Sequence, residues 1–150
     1  RIANAVAAEK LYGAPSIVVD FGTATNIDVV DSDGYYIGGA IAPGLRISMD
    51  ALVARAARIA SIPLETPPHA IGRTTEEAVQ SGAVLGTAAM VEGRIRAELG
   101  APEARVIATG GLANIVADST NVFDVVDGQL TLKGICEIAR RMRDRVPRSA

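Results

Sequence analysis

A mixed α/β sheet covered by helices is the fold this sequence predicts, and three observations predict it. Three short apolar, β-branched runs lie close together near the start, at 16–20, 26–30 and 35–42, joined by tight turns. Two stretches of helical periodicity follow. Further strand-like runs at 105–109 and 123–126 then alternate with helical segments. A meander followed by alternating strands and helices gives one sheet with both antiparallel and parallel neighbours.

Taken in order, residues 2–11 place Ile2, Ala5, Val6 and Leu11 on one helical face, and Gly13 and Pro15 stop the helix. Ser16 to Asp20 reads as a buried strand, followed by the polar turn Phe21-Gly22-Thr23-Ala24-Thr25. Asn26 to Val30 is a second strand, closed by the hairpin signal Asp31-Ser32-Asp33-Gly34. Tyr35 to Ala42 is a third, with Gly38-Gly39 inviting close approach to its backbone. After Pro43-Gly44, Leu45, Met49, Leu52, Val53, Ala56 and Ile59 recur at helical spacing. Pro63, Pro67 and Pro68 make 61–73 a loop.

Thr74-Thr75-Glu76-Glu77 is a capping box that opens a helix running to Leu99, with Gly100 as its stop. Ala78, Gly82 and Gly86 lie four apart on that helix. Each glycine costs about 1 kcal/mol relative to alanine in a helix interior. A small-residue stripe therefore implies a closely packed neighbour: a ligand, another helix or the chain's own sheet. Arg105 to Thr109 is a strand ending in Gly110-Gly111, with a short helix after it, then a strand at 123–126. Thr131 to Arg145 is the last helix, with Cys136 on its apolar side and expected in the core.

Composition narrows the function classes. At 150 residues the chain is one domain, and 49% hydrophobic against 21% charged residues is a globular balance. A net charge of −2 with no basic stripe argues against a nucleic-acid partner. No apolar run is long enough for a membrane helix, and Glu9 and Lys10 interrupt any signal-like core, so the expected location is the cytoplasm. A single cysteine excludes an internal disulfide. His69, among prolines, reads as an exposed loop residue.

Four segments carry possible chemistry. In Asp20-Phe21-Gly22-Thr23-Ala24-Thr25, a carboxylate at a strand end precedes a glycine and two hydroxyls. Such a turn suits a phosphate and a cation, yet it serves equally as a turn whose Asp20 and Thr23 bond their own backbone. Gly38-Gly39 through Gly44 is bare backbone beside a ligand, or a bulged strand against a neighbour. Thr74 is explained by capping, which leaves Thr75 for a small polar ligand. Thr109-Gly110-Gly111 is a weak nucleotide-turn signal.

The strings VVDFGTATNIDVVD, GGAIAPGL, IGRTTEEAVQSGAVLG and ATGGLA occur in this order in type III pantothenate kinases. The chain resembles that family nearly end to end. The resemblance implies a sugar-kinase/actin-type fold of two ribonuclease-H-like domains with the active site between them. Residues 1–150 would then be the second, C-terminal domain, with the N-terminal phosphate-loop domain absent from this chain. It also implies ATP-dependent phosphorylation of pantothenate to 4'-phosphopantothenate, the first step of coenzyme A biosynthesis. ATP with Mg2+, a monovalent cation (K+ or NH4+) and a homodimer with pantothenate near the subunit interface are implied likewise.

Residue by residue, Asp20 matches the monovalent-cation position and Thr23 a residue that contacts ATP. Gly22 and the Gly38-Gly39 strand belong to the same phosphate- and substrate-facing surface. Thr75 matches a residue that contacts pantothenate. Arg1-Ile2-Ala3-Asn4-Ala5 is similar to the continuation of the family's Gly-x-Asp-Arg motif, which makes Arg1 its pantothenate-holding arginine. The aspartate base would fall just before Arg1, so no catalytic residue is expected in this chain and its site is incomplete by itself. Asn26 stands where members commonly have threonine. Two other readings stay open: a non-catalytic accessory relative that keeps the fold and binds ligand, and a superfamily kinase for another acceptor.

Overall fold

The computed structural model describes residues 1–56, 61–99 and 103–145. Its elements, in order, are α1 (Ile2–Tyr12), β1 (Ser16–Phe21), β2 (Ala24–Val30), β3 (Tyr36–Pro43), α2 (Leu45–Arg55), α3 (Thr75–Gln80), a π-helical turn (Ser81–Leu85) and α4 (Gly86–Leu99). They are followed by β4 (Arg105–Thr109), α5 (Ala113–Ala117), β5 (Val125–Val126) and α6 (Leu130–Arg145). One five-stranded sheet has the order β3-β2-β1-β4-β5. β1 pairs antiparallel with β2 and parallel with β4, which is the expected mixed sheet.

Alternation along β1 builds a core on each side of the sheet. Ile17, Val19 and Phe21 point into a layer made with Leu45 and Met49 of α2, Val84 of the π turn, and Val91 and Ile95 of α4. Val18 points the other way, against Ala7 and Ala8 of α1, Ile107 of β4 and Leu130 of α6. This second layer is built from small residues. Gly134 of α6 lies so close to Ala3 of α1 that a Cβ there would collide with the Ala3 carbonyl. The two helices therefore meet nearly backbone to backbone, and Arg141 of α6 adds a 2.7 Å ion pair to Glu9 of α1.

Five details differ from the sequence reading. The buried face of α1 is Asn4, Ala5, Ala7 and Ala8, whereas Ile2 and Leu11 are about half exposed at 55% and 51%. Close approach to α6 leaves no room for large side chains at that contact. The segment 75–99 is helical throughout but is broken by the π turn, an irregularity that hydrophobic spacing does not register. Thr74 accepts from the Glu77 N–H at 3.1 Å as expected, but Glu77 accepts from the Arg73 N–H at 2.7 Å rather than from that of Thr74. Cys136 is exposed, because α6 turns Leu130 and Gly134 inward. The last strand is shorter than expected, and Phe123 instead packs edge-on against Phe21. Ile59 and Gly100 lie outside the described residues. No helix among the described residues is long and apolar enough to cross a membrane.

Candidate functional site

The parallel strands β1 and β4 end side by side, and Asp20 and Thr109 are register partners there. Asp20 is half-buried at that sheet end, and its Oδ2 accepts a 2.9 Å hydrogen bond from the side-chain amide of Asn4. Asn4 in turn accepts at 2.6 Å from the Thr131 hydroxyl of α6. One carboxylate oxygen is thus fixed by a buried relay, while Oδ1 faces the glycine turns. A Cβ on Gly110 would stand 2.7 Å from Asp20 Oδ1, and one on Gly22 3.7 Å away. Gly110 also has φ +94°, a conformation that favours glycine. The carboxylate therefore sits in a cradle of bare backbone, with no ion pair to it among the described residues.

The β1–β2 turn carries Gly22 and Thr23, both exposed. The Gly22 N–H closes the turn onto the Ala24 carbonyl at 3.1 Å, so it is not available to an anion. Thr23 holds the tip, and its carbonyl accepts from the Gly44 N–H at 3.2 Å, tying the turn to the start of α2. Thr25 is buried on the α2 side of the sheet, and its hydroxyl has no partner among the described residues. The hydroxyl of Thr109 is also spent, donating to the Asp127 carbonyl at 2.7 Å.

Arg1 lies on the α1 side of the sheet. It pairs with Asp28 of β2, where Nε and Nη2 each stand 2.7 Å from Oδ1, and its guanidinium carbon lies 5.8 Å from the centre of the Tyr36 ring. The Tyr36 hydroxyl donates to the same Oδ1 at 3.0 Å. Burial, and then that hydrogen bond, push the Tyr36 phenol above its ordinary value. Thr75 lies in the opposite layer. It lines a groove of about 490 Å³ with Ser48, Met49 and Leu52 of α2 and with Ala78, Val79, Gly82 and Ala83.

The small-residue stripe is exposed along this groove. No described residue lies within 4 Å of where a Cβ on Gly82 or Gly86 would stand, and the sheet side of the helix is filled by Val84, Ala88 and Val91 instead. The alternative that the stripe packs on the chain's own sheet is therefore wrong.

The structure thus gathers Asp20, Gly22, Thr23 and Gly110 at one sheet end, with Arg1 further along the α1 side of the sheet. It does not bring Thr75 to them. Sequence reasoning missed Asn4, Asp28 and Tyr36. The available signals were a polar residue among alanines in α1 and an acid inside the apolar run of β2. Among the described residues, no group of three or more His, Cys, Asp or Glu side chains converges on a point that would hold a metal ion.

The sequence model of the family described as Type III pantothenate kinase matches residues 1–97. A type III pantothenate kinase of Thermomicrobium roseum is 56% identical over 145 residues, covering 95% of this chain and 56% of the relative. That of Frankia alni is 51% identical over 138 residues, covering 90% and 55%. The chain belongs to the type III pantothenate kinase family. It spans about half the length of the curated relatives it matches.

Solved structures agree on the fold. A conserved Baf family protein from Campylobacter jejuni superposes with a TM-score of 0.67 at 19% identity, covering 93% of this chain and 63% of that one. The activator of the 2-hydroxyisocaproyl-CoA dehydratase from Clostridium difficile does so with 0.55 at 12%, covering 99% and 70%. At such identities the likeness speaks for the fold alone, a domain of the actin and sugar-kinase type. The mixed sheet of this type III pantothenate kinase family chain is that domain.

Proposed function

We propose that this chain is the C-terminal domain of a kinase that transfers the γ-phosphoryl group of ATP to the primary hydroxyl of pantothenate. The observation that carries this reading is the Asp20 cradle in a family member 56% identical to a pantothenate kinase over nearly its whole length. Phosphoryl transfer needs little covalent help from the protein. It needs positioning and neutralisation of phosphate charge, which a cation, hydroxyls and close backbone supply.

The residues fit a monovalent cation. Asp20 offers one free carboxylate oxygen over Gly110, and Asn4 keeps the other oxygen turned away. A K+ or NH4+ ion there would add positive charge beside the phosphates. Mg2+ would arrive with ATP, held largely by phosphate oxygens as is usual for this ion. Thr23 serves ATP with its hydroxyl, and Gly22 by leaving room at the turn rather than by donating. Arg1 and Thr75 serve pantothenate. On the family resemblance, the aspartate base and the first phosphate loop would come from the half of the kinase that residues 1–150 do not span.

Arg1 and Thr75 lie in opposite layers of one copy. This supports a homodimer in which each pantothenate meets Arg1 of one subunit and Thr75 of the other, with the exposed groove beside Thr75 at the interface. A cytoplasmic protein fits this chemistry, since ATP and K+ are abundant there.

The reading is tested by following ADP release from the complete protein with ATP and Mg2+, in potassium and in sodium buffers. Release that depends on pantothenate and is faster in potassium is expected. Pantothenate-independent release, or none, removes the kinase reading and favours an accessory role.

A further inference from the structure

Asp28 is the one acid in the middle of β2, and its side chain is wholly buried. Its Oδ1 accepts from Nε of Arg1 at 2.7 Å and from the Tyr36 hydroxyl at 3.0 Å, and Nη2 of Arg1 lies 2.7 Å away as an ion-pair contact. Its Oδ2 is buried with no partner among the described residues. A buried ion pair adds little net stability, because desolvation consumes most of the attraction. A pair kept only for the fold would moreover be expected to satisfy both oxygens. Asp28 instead loads one oxygen and fixes one edge of a guanidinium.

That edge matters because a guanidinium carries five N–H groups in a rigid fork. Asp28 Oδ1 accepts from Nε–H and stands 2.7 Å from Nη2 on the same edge. The far edge, between Nη1 and Nη2, is the end-on fork that matches a carboxylate. The Arg1 side chain keeps 36% of its surface exposed, so the guanidinium is anchored without being enclosed. Tyr36 braces the pair twice, through its ring beside the guanidinium and its hydroxyl on the shared oxygen.

We propose that Asp28, braced by Tyr36, is a positioning residue that holds Arg1 so that its outer fork receives the carboxylate of pantothenate. This rests on the reading of Arg1 as a substrate-binding residue. Asp28 itself touches no substrate and acts through Arg1.

The test uses the complete protein carrying Asp28→Asn or Tyr36→Phe, with Arg1→Ala as the reference. Asp28→Asn should raise the KM for pantothenate about tenfold, with kcat and the KM for ATP changed less than about threefold. Tyr36→Phe should shift the same constant in the same direction, by about threefold. A pantothenate KM unchanged by Asp28→Asn but raised by Arg1→Ala overturns the proposal. So does an equal rise in both KM values, which marks a structural role. A second readout does not need turnover: the Arg1 Nε–H proton resonance should exchange slowly with water in the unsubstituted protein and be lost in Asp28→Asn. Equal protection in both overturns the proposal. Absence of pantothenate-dependent turnover in the unsubstituted protein would instead defeat the kinase reading, leaving the resonance to decide the Arg1–Asp28 clamp.

Discussion

Asn4 joins three elements through one side chain. Its amide donates to Asp20 of β1, its carbonyl accepts from Thr131 of α6, and it belongs to the first turns of α1. It is buried, so removing it leaves two polar groups without their partner. Asn4→Ala should therefore cost about 1–3 kcal/mol of stability, read from urea unfolding. It should also weaken the preference for potassium over sodium, because Asp20 is no longer held in one orientation. A stability change below about 0.5 kcal/mol would contradict the relay. Sequence reasoning passed over Asn4 because it sought the face of α1 among large apolar residues. Asp20, Thr23 and Thr75 were singled out because they sit in ordered motifs that resemble those of the family. Asp28 was not, since a lone acid in a strand is as often solvent-facing as buried.

At the scale of elements, the contact between α1 and α6 depends on the missing side chain of Gly134. Gly134→Val forces the helices apart against the Ala3 carbonyl and should cost roughly 1–3 kcal/mol, measurable as a lower unfolding temperature. Gly82 offers the opposite case. Its Cβ position is open, so Gly82→Leu should keep or slightly raise monomer stability, by up to about 1 kcal/mol from helix propensity. The same substitution fills the groove beside Thr75, and sedimentation should show fewer dimers. Dimers unchanged by Gly82→Leu would place the interface elsewhere. The strands were legible from their β-branched runs and tight turns, because alternation is imposed locally by the pleat. The π turn was not, since one wider turn keeps the chain helical and shifts only which residues face inward.

At the scale of the molecule, acid should weaken the ion pairs and hydrogen bonds that brace α6 and tie its start to α1. Hydrogen bonds from Arg140 and then Arg141 lower the Glu137 carboxyl from 4.5 to about 2. Burial alone would raise Asp127, but hydrogen bonds from Lys133, from Tyr12 and from the Gln129 N–H bring it below its ordinary value. Both folded values lie under the unfolded ones, so this stability is full above the unfolded values and is lost as pH falls towards the folded ones. The unfolding temperature should hold from neutral pH to about 5 and then fall as pH drops from 4.5 towards 2, with a shallower fall in Glu137→Gln. The mixed sheet was legible from the order of elements, since a three-strand meander followed by alternating helices and strands leaves few other topologies. The placement of Arg1 and Thr75 in opposite layers was not, because it depends on which face each helix chooses.

The central claim is that this domain takes part in phosphorylating pantothenate, and phosphorus NMR of the reaction products tests it most directly. With ATP, Mg2+ and K+, the complete protein should produce a phosphomonoester resonance that coincides with that of added authentic 4'-phosphopantothenate, and residues 1–150 alone should produce none. No such product from the complete protein would contradict the account of its activity. Product from residues 1–150 alone would contradict the account of a partial site.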